Sequence, residues 1–200
     1  MPDTGAPWNI PYVASTDLVS DWPADSLALA NAIDSGLDVV GGLVAVKHAL
    51  FTGTQTNSTA SGGNFAVTDL SITHTLADSS NKLIISAYFG VAAANAELGR
   101  VGLAVADDGT LIAIGDAASS RTRVGAGGRV AGTTHPEVVT MPSVTFVYEP
   151  GDTASHTYTV RAINVSSSTQ TIYINRSYND GDATNRPRGS SGFVIQEVKV

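Results

Sequence analysis

Four histidines and a scattered set of acidic residues are the side chains of this sequence that could do acid–base or metal chemistry. No two histidines stand at the i, i+4 spacing of a helical metal site. The chain has no cysteine, which excludes thiolate metal sites, disulfides and a cysteine nucleophile. The spacing therefore predicts structural histidines, with no metal or cofactor site. The four are His48, His74, His135 and His156.

Serine and glycine motifs give no catalytic centre. Ser190-Ser191 lacks the Gly-x-Ser-x-Gly spacing of a nucleophile elbow, and Gly125–Gly128 lacks the Lys-Ser/Thr ending of a phosphate loop. We predict that the chain is not an enzyme. Paired carboxylates for glycoside cleavage stay open, because sequence spacing does not say which acids approach each other. The candidates are Glu97, Asp107, Asp108, Asp116, Glu137 and Glu149.

Arginine stands out among the basic residues, with eight arginines against three lysines and 18 acidic residues. The planar guanidinium binds carboxylates in two places, so arginine is the usual choice for interface ion pairs. Arginines that only keep the surface soluble would give the same composition, and both interpretations stay open. For an interface between chains, the predicted residues are Arg161, Tyr173, Arg176, Phe193 and Ile195.

Two long loops, 115–137 and 177–190, carry charged residues that could face a partner. Loops of this length without regular structure are usually functional or mobile. The Asn179–Asp182 cluster lacks the bidentate glutamate of a calcium loop, so a polar turn is favoured over calcium binding near Asp180. The predicted distal residues are Arg121, Arg123, Asp180, Asp182 and Arg186.

The first 40 residues contain two tryptophans and show no strand pattern. Residues 1–14 are extended and proline-rich, and residues 15–40 show one apolar helical stripe. A short helix with one apolar stripe does not hold together alone, so it must lie on the rest of the chain or bundle with copies of itself. The arm is either a strap across its own domain or an anchor that docks into a partner.

From residue 43 onward the pattern is strand and turn. The lengths and spacing of the strands predict a sandwich or barrel, and no helix-length pattern interrupts them. The candidate strands are Leu43–Phe51, Phe65–Ile72, Lys82–Phe89, Arg100–Ala106, Thr110–Ile114, Val138–Pro142, Val144–Glu149, Thr157–Val165, Thr169–Asn175 and Ser191–Val200.

Several of these strands carry apolar groups on both faces, as in Ile172-Tyr173 and Phe193-Val194. A sheet that faces water shows polar residues on one side. Two apolar faces predict that one side packs inside the sandwich and the other meets a neighbouring subunit. A covering loop would give the same pattern.

Composition excludes several classes of partner. The formal net charge is −7 and only 14% of residues are charged, with no basic run for nucleic acid or an anionic membrane surface. No apolar run reaches the roughly 18 residues of a membrane span, and the start shows no signal-peptide pattern.

Several segments, in their order along the chain, resemble proteins of tailed-phage tails. Pro11–Pro23 running into Leu27–Ile33 is similar to the N-terminal segment of tail fibres and minor tail proteins. The remainder resembles the β domain at fibre tips. The segments that carry this second likeness are Val67–Thr75, Asn81–Ile85, Ile114–Ala117, Arg121–Arg123, Tyr148–Gly151, Thr157–Arg161, Ile172–Arg176 and Ser190–Val198.

The resemblance implies a mainly β, antiparallel, jelly-roll-like sandwich that forms a homotrimer in a virion. Residues 1–42 would be the attachment arm and helix, and 43–200 the trimerising β domain. The partners would be copies of the chain, other virion proteins and a host surface glycan or protein. The attachment residues would be Trp8, Tyr12, Trp22, Leu29 and Ile33.

The sequence departs from the fibre pattern in one respect: no long shaft separates the arm from the β domain. We predict a short trimeric fibre or spike. The alternatives are a capsid decoration protein, and a carbohydrate-binding module or polysaccharide depolymerase.

Overall fold

The computed structural model describes residues 27–32, 42–94 and 99–200, which form one short helix and twelve strands. The helix α1 covers residues 27–32. The first six strands are β1 (Leu43–Phe51), β2 (Gln55–Thr59), β3 (Asn64–Thr75), β4 (Lys82–Tyr88), β5 (Val91–Ala93) and β6 (Gly99–Asp107). The other six are β7 (Thr110–Ile112), β8 (Ala126–Val130), β9 (Ser143–Tyr148), β10 (Ser155–Asn164), β11 (Gln170–Ile174) and β12 (Ser191–Val198).

The strands form two main sheets and a small third one. The orders are β1-β12-β4-β9, then β3-β10-β6-β7 with β8 also on β6, and β2-β11-β5. Strand pairing is nested: β1 pairs with β12, β3 with β10, β4 with β9 and β6 with β7, all antiparallel. This pairing of first strand with last, moving inward, is that of a jelly roll. The predicted mainly β, jelly-roll-like fold class is confirmed.

The core lies between the two main sheets and follows from period-two alternation. In β4 every second side chain is buried, and β3 shows the same alternation on either side of an irregularity at Thr68-Asp69; the buried apolar side chains point at the facing sheet. Each fully buried large side chain contributes roughly 1.5–3 kcal/mol of transfer free energy. The largest buried apolar side chains are Tyr158, Phe89, Phe193, Leu70, Leu83, Ile85 and Leu103.

The prediction that Phe193 and Ile195 lie at an interface between chains is wrong. Both belong to the hydrophobic core, with exposed fractions of 0% and 1%. Alternation along β12 turns these two side chains inward and leaves Val194 and Gln196 on the outside.

Strand prediction failed at four segments. Val138–Pro142 forms no strand, and only an isolated bridge joins Thr140 to Val91. The missed strands are the polar β2, the three-residue β5 and the glycine-rich β8. Tertiary pairing overrides weak strand propensity in each of them.

The N-terminal prediction is described only at residues 27–32. Leu29 is half-buried in α1, whereas Trp8, Tyr12, Trp22 and Ile33 lie outside the described residues. Among the residues that the structure describes, no helix has the length and apolar character to cross a membrane.

Candidate functional site

The outer face of the sheet β1-β12-β4-β9 carries exposed aliphatic side chains. Because Phe193, Ile195 and Glu197 point inward, the side chains between them point out, and register aligns them across the four strands. One row runs Val147, Ile84, Gln196, Val46. We call this surface the apolar face; its central residues are Val46, His48, Leu50, Ile84, Ser86, Tyr88, Thr145, Val147, Val194 and Gln196.

The apolar face is exposed at both of its edge strands. Val46 and Leu50 on β1 and Val147 on β9 are 50%, 57% and 61% exposed. The Ser86 and Thr145 hydroxyl groups satisfy each other at 2.9 Å. The face thus offers exposed aliphatic groups on its edge strands, beside the polar side chains of His48, Tyr88 and Gln196.

The outer face of the opposite sheet has the contrary character. Hydroxyl pairs line its β3–β10 seam, with Ser71 to Thr159 at 3.2 Å and Thr73 to Thr157 at 3.1 Å. Arg161 lies half-buried on the same side of β10. This face has the polar outside expected of a solvated antiparallel sheet.

Tyr88 covers a glycine on the apolar face. A Cβ at Gly192 would lie 2.6–2.8 Å from ring atoms and the hydroxyl of Tyr88, so the ring rests directly on the β12 backbone. The absence of a side chain at this position therefore lets an aromatic ring lie flat on the sheet.

A cluster of acids around one histidine forms at one end of the sandwich. The β6–β7 turn supplies Asp107 and Asp108, the β9–β10 loop supplies Asp152, and His156 begins β10. His156 Nδ1 lies 2.8 Å from Asp107 Oδ1 and 3.4 Å from Asp108 Oδ2, and Nε2 lies 3.0 Å from Asp152 Oδ1. Tyr148 donates its hydroxyl to Asp107 at 2.8 Å.

The electrostatics of this acid–histidine cluster favour a protonated imidazole. The hydrogen bond to Asp152 raises the pKa of His156, burial lowers it, and the bond to Asp107 raises it again, with a net upward shift. Burial, followed by the bond to Asp107, raises the pKa of Tyr148 to about 12. The tyrosine is thus a neutral donor at physiological pH.

Three groups of the cluster could ligate a divalent cation. Ligand atoms of Asp107, Asp108 and His156 lie within 4.8 Å of one another. A cation there would take the place of the Nδ1 proton, since neutral imidazole and carboxylate are the ligating forms. Sequence analysis missed this cluster: the cross-strand register of Tyr158 with Asp107 is what brings it together.

A second histidine–carboxylate pair is buried near the β3–β4 connection. Glu197 accepts hydrogen bonds from Asn81 at 2.6 Å and from the Ala77 amide at 2.8 Å, and its other oxygen lies 2.9 Å from His74 Nε2. Burial raises the pKa of Glu197, but these three hydrogen bonds outweigh it and leave the pKa below its ordinary value. The pair ties β12 to the β3–β4 loop.

The loop after β11 folds around a carboxylate held by two arginines. Asp180 receives two bonds from Arg188, at 3.0 and 2.7 Å, and one from Arg176 at 3.4 Å. The bond from Arg188 lowers the pKa of Asp180. Arg176 also stacks over Tyr173, 4.5 Å from the ring centroid. A calcium ion near Asp180 would have to displace these guanidinium groups.

The structure distributes the predicted site residues over separate surfaces. Tyr173 lies in β11 of the small sheet, and Arg176 follows that strand. Arg121 and Arg123 are exposed in the loop between β7 and β8. In the 177–190 loop Asp182 is exposed and Arg186 half-buried. Of the candidate glycosidase acids, Asp107 and Asp108 come together around His156, Glu149 pairs with Lys82, and Glu97 lies outside the described residues.

Comparisons with known proteins assign no family to the chain. No family model and no curated protein matches it. Among solved structures, the infectious bursal disease virus VP2 subviral particle is similar with a TM-score of 0.35 and 10% sequence identity. That match covers 78% of this chain and 41% of the VP2 chain, so the chain spans less than half of that relative. A similarity at this level transfers neither fold nor activity.

Proposed function

We propose that the chain is a structural protein of a tailed-phage virion, a short trimeric fibre or spike attached through its N-terminal segment. The observation that carries the proposal is the jelly-roll sandwich with one outer face apolar and the other polar. A domain that projects from a particle needs one surface that contacts other subunits and one surface that faces solvent. The two outer faces supply them. The ordered likeness of the sequence to fibre proteins supports the same assignment.

The chemistry of the described residues supports binding rather than catalysis. Asp107 and Asp108 are engaged by His156, and Asp180 is engaged by Arg188. In this arrangement the carboxylates hold the loops together. The exposed loops around Arg121 and Asp182 are then the surfaces available to a host glycan or protein.

Capsid decoration is the second candidate function. It shares the virion location of the first proposal and uses the same β domain, which begins with β1 at Leu43. A decoration protein would use the same β domain to bridge neighbouring capsid subunits.

The test is the location of the chain in intact particles. We expect the purified virions of its phage to contain the protein, with gold-labelled antibody on the tail for a fibre or on the head for a decoration protein. Absence from washed particles would refute both structural assignments.

Two assays address the carbohydrate alternatives on the same purified protein. Release of reducing ends from host capsule, abolished in Asp107→Asn or Asp108→Asn, would show a depolymerase. Glycan binding by a chain that is absent from particles would show a carbohydrate-binding module instead.

A further inference from the structure

We propose that the apolar face is the surface on which a second copy of this chain docks. The proposal deepens the proposed function, on which it rests for the choice of partner, by naming the face that joins the copies. Its residues belong to the four strands of the sheet β1-β12-β4-β9, all of which the structure describes.

The outer faces of a sandwich usually expose polar side chains, whereas the apolar face exposes aliphatic ones. Val46, Leu50 and Val147 are at least half exposed, while the opposite sheet presents paired hydroxyl groups to solvent. A contiguous apolar patch on a soluble domain marks an interaction surface. The two outer faces of the sandwich therefore differ: one carries paired hydroxyl groups, and the other carries exposed aliphatic side chains.

The face is large enough for a specific contact. Four strands spaced about 4.8 Å apart, with four outward rows spaced about 6.8 Å apart, cover roughly 500 Å². Contact with an equal area of a second copy buries about 1,000 Å² in total, which meets the lower bound for a biological interface. The hydroxyl pair of Ser86 and Thr145 is already satisfied, so burial leaves that pair no unmet hydrogen bond.

Charge on the face favours a copy of the same chain over a charged partner. The chain carries a net charge of −7, so two copies repel wherever carboxylates meet. The nearest acid to this face outside its strands is Glu149, which directly follows β9 at the border and pairs with Lys82 at 2.8 Å. The titratable groups on the face are His48 and Tyr88, and Lys82 lies at its border. A basic or acidic partner would find no complementary charge there.

The experiment is the molar mass of the full chain in solution, measured by light scattering for the wild type, Val46→Glu and Val147→Glu. We expect wild type above the 20.5 kDa of one chain, and a shift of both variants to monomer. A carboxylate that association would bury unpaired weakens binding by about tenfold or more. Thr75→Glu, an exposed strand position on the polar face, is the matched control and should keep the wild-type mass.

A second measurement distinguishes loss of association from unfolding of the variants. The chain has no cysteine, so Val46→Cys and Thr75→Cys each give a single thiol to label with maleimide. We expect Val46→Cys to react several-fold more slowly than Thr75→Cys, because a neighbouring copy covers it.

A monomeric wild type, unchanged mass in Val46→Glu and Val147→Glu, or equal labelling would each overturn the proposal. A monomer that is less stable with Val46→Glu would place another part of the same chain on the face, which also overturns it. None of these outcomes depends on whether virions contain the protein.

Discussion

Two histidine–carboxylate pairs sit at different depths of this domain, and their surroundings give them different roles. His74 and Glu197 are 5% and 1% exposed, and the carboxylate is surrounded by donors from Asn81 and Ala77. His156 is closer to solvent and faces three carboxylates. The first pair fixes a loop through hydrogen bonds, and the second responds to pH through its proton.

Glu197→Ala should be among the most destabilising substitutions in the chain. It leaves His74, Asn81 and the Ala77 amide without their buried acceptor, and breaking a buried pair costs about 3–5 kcal/mol. Urea unfolding followed by circular dichroism measures the loss. Glu149→Ala, which removes the exposed partner of Lys82, is the control and should change stability by less than about 1 kcal/mol. Equal effects of the two substitutions would contradict a special role for the buried carboxylate.

His156→Gln should cost the domain more at low pH than at high pH. The pKa of His156 is raised in the folded state, so its stabilising contribution is fully present below the ordinary histidine pKa of about 6.5. It is lost as the pH rises through the higher folded value. The melting-temperature gap between wild type and His156→Gln should therefore be widest near pH 5.5 and narrow steadily above neutrality. Asp152→Asn, which removes the largest cause of the shift, should behave in the same way. A gap that widens with rising pH would refute the assignment.

Strand junctions in this fold depend on backbone positions that ordinary side chains cannot occupy. β8 lies so close to β6 that a Cβ at Gly127 would stand 2.6 Å from Val101 O and 2.7 Å from Gly102 Cα. At the end of β11, Asn175 adopts φ +60° and binds two neighbouring segments through its side chain. Both positions determine how one element meets the next.

Gly127→Ala should detach β8 or destabilise the domain by at least about 2 kcal/mol. The new methyl group would strike backbone rather than a movable side chain, and φ of +148° adds strain. Thermal melting and hydrogen exchange of the Arg129 and Val130 amides report the two outcomes. Gly115→Ala, where a Cβ meets nothing within 4 Å, should remain within about 0.5 kcal/mol of wild type. Equal stability of the two variants would show that β8 can move away at no cost.

Asn175→Ala should destabilise the junction of β1, β11 and β12 by about 2–4 kcal/mol. The amide donates to the carbonyls of Phe51 and Gly53, at 2.8 and 3.0 Å, and its oxygen accepts from Ser191 at 2.6 Å. Asn175→Gly loses the same bonds but relieves the left-handed backbone, so it should be more stable than Asn175→Ala by about 1–2 kcal/mol. Chemical denaturation gives both numbers. If Asn175→Ala matches wild type, the hydrogen bonds contribute nothing.

At the scale of the whole molecule, the sequence predicts the sandwich better than it predicts its surfaces. Alternation in β4 and β10 marks strands well, because one face must be apolar to form a core. Where both faces are apolar, as at Phe193-Val194, the period of two does not say which face is inside. That is why Phe193 was assigned to an interface, although its neighbour Val194 is the outward residue.

The site could be predicted less well, for a related reason. Asp107 meets His156, 49 residues later in the chain, because β6 and β10 pair in one particular register, whereas Asp152 lies only four residues before His156. Glycine-rich β8 likewise becomes a strand through its partner β6. Long-range pairing leaves no local pattern to detect.

The predicted division at residue 42 implies that the β domain folds and associates without the N-terminal segment. Among the residues that the structure describes, every member of the hydrophobic core lies between Phe51 and Ile195, so deletion of residues 1–40 removes none of these. The fragment retains Gly42, whose carbonyl accepts from the Lys199 amide at 2.9 Å and anchors β1. We expect a cooperative denaturant transition within about 1 kcal/mol of the full chain, with an unchanged slope because the same surface is exposed on unfolding. Its mass in light scattering should equal the same multiple of one chain, since the apolar face remains. A fragment that folds but is monomeric would assign assembly to the N-terminal segment, and one that fails to fold would refute the division into two units.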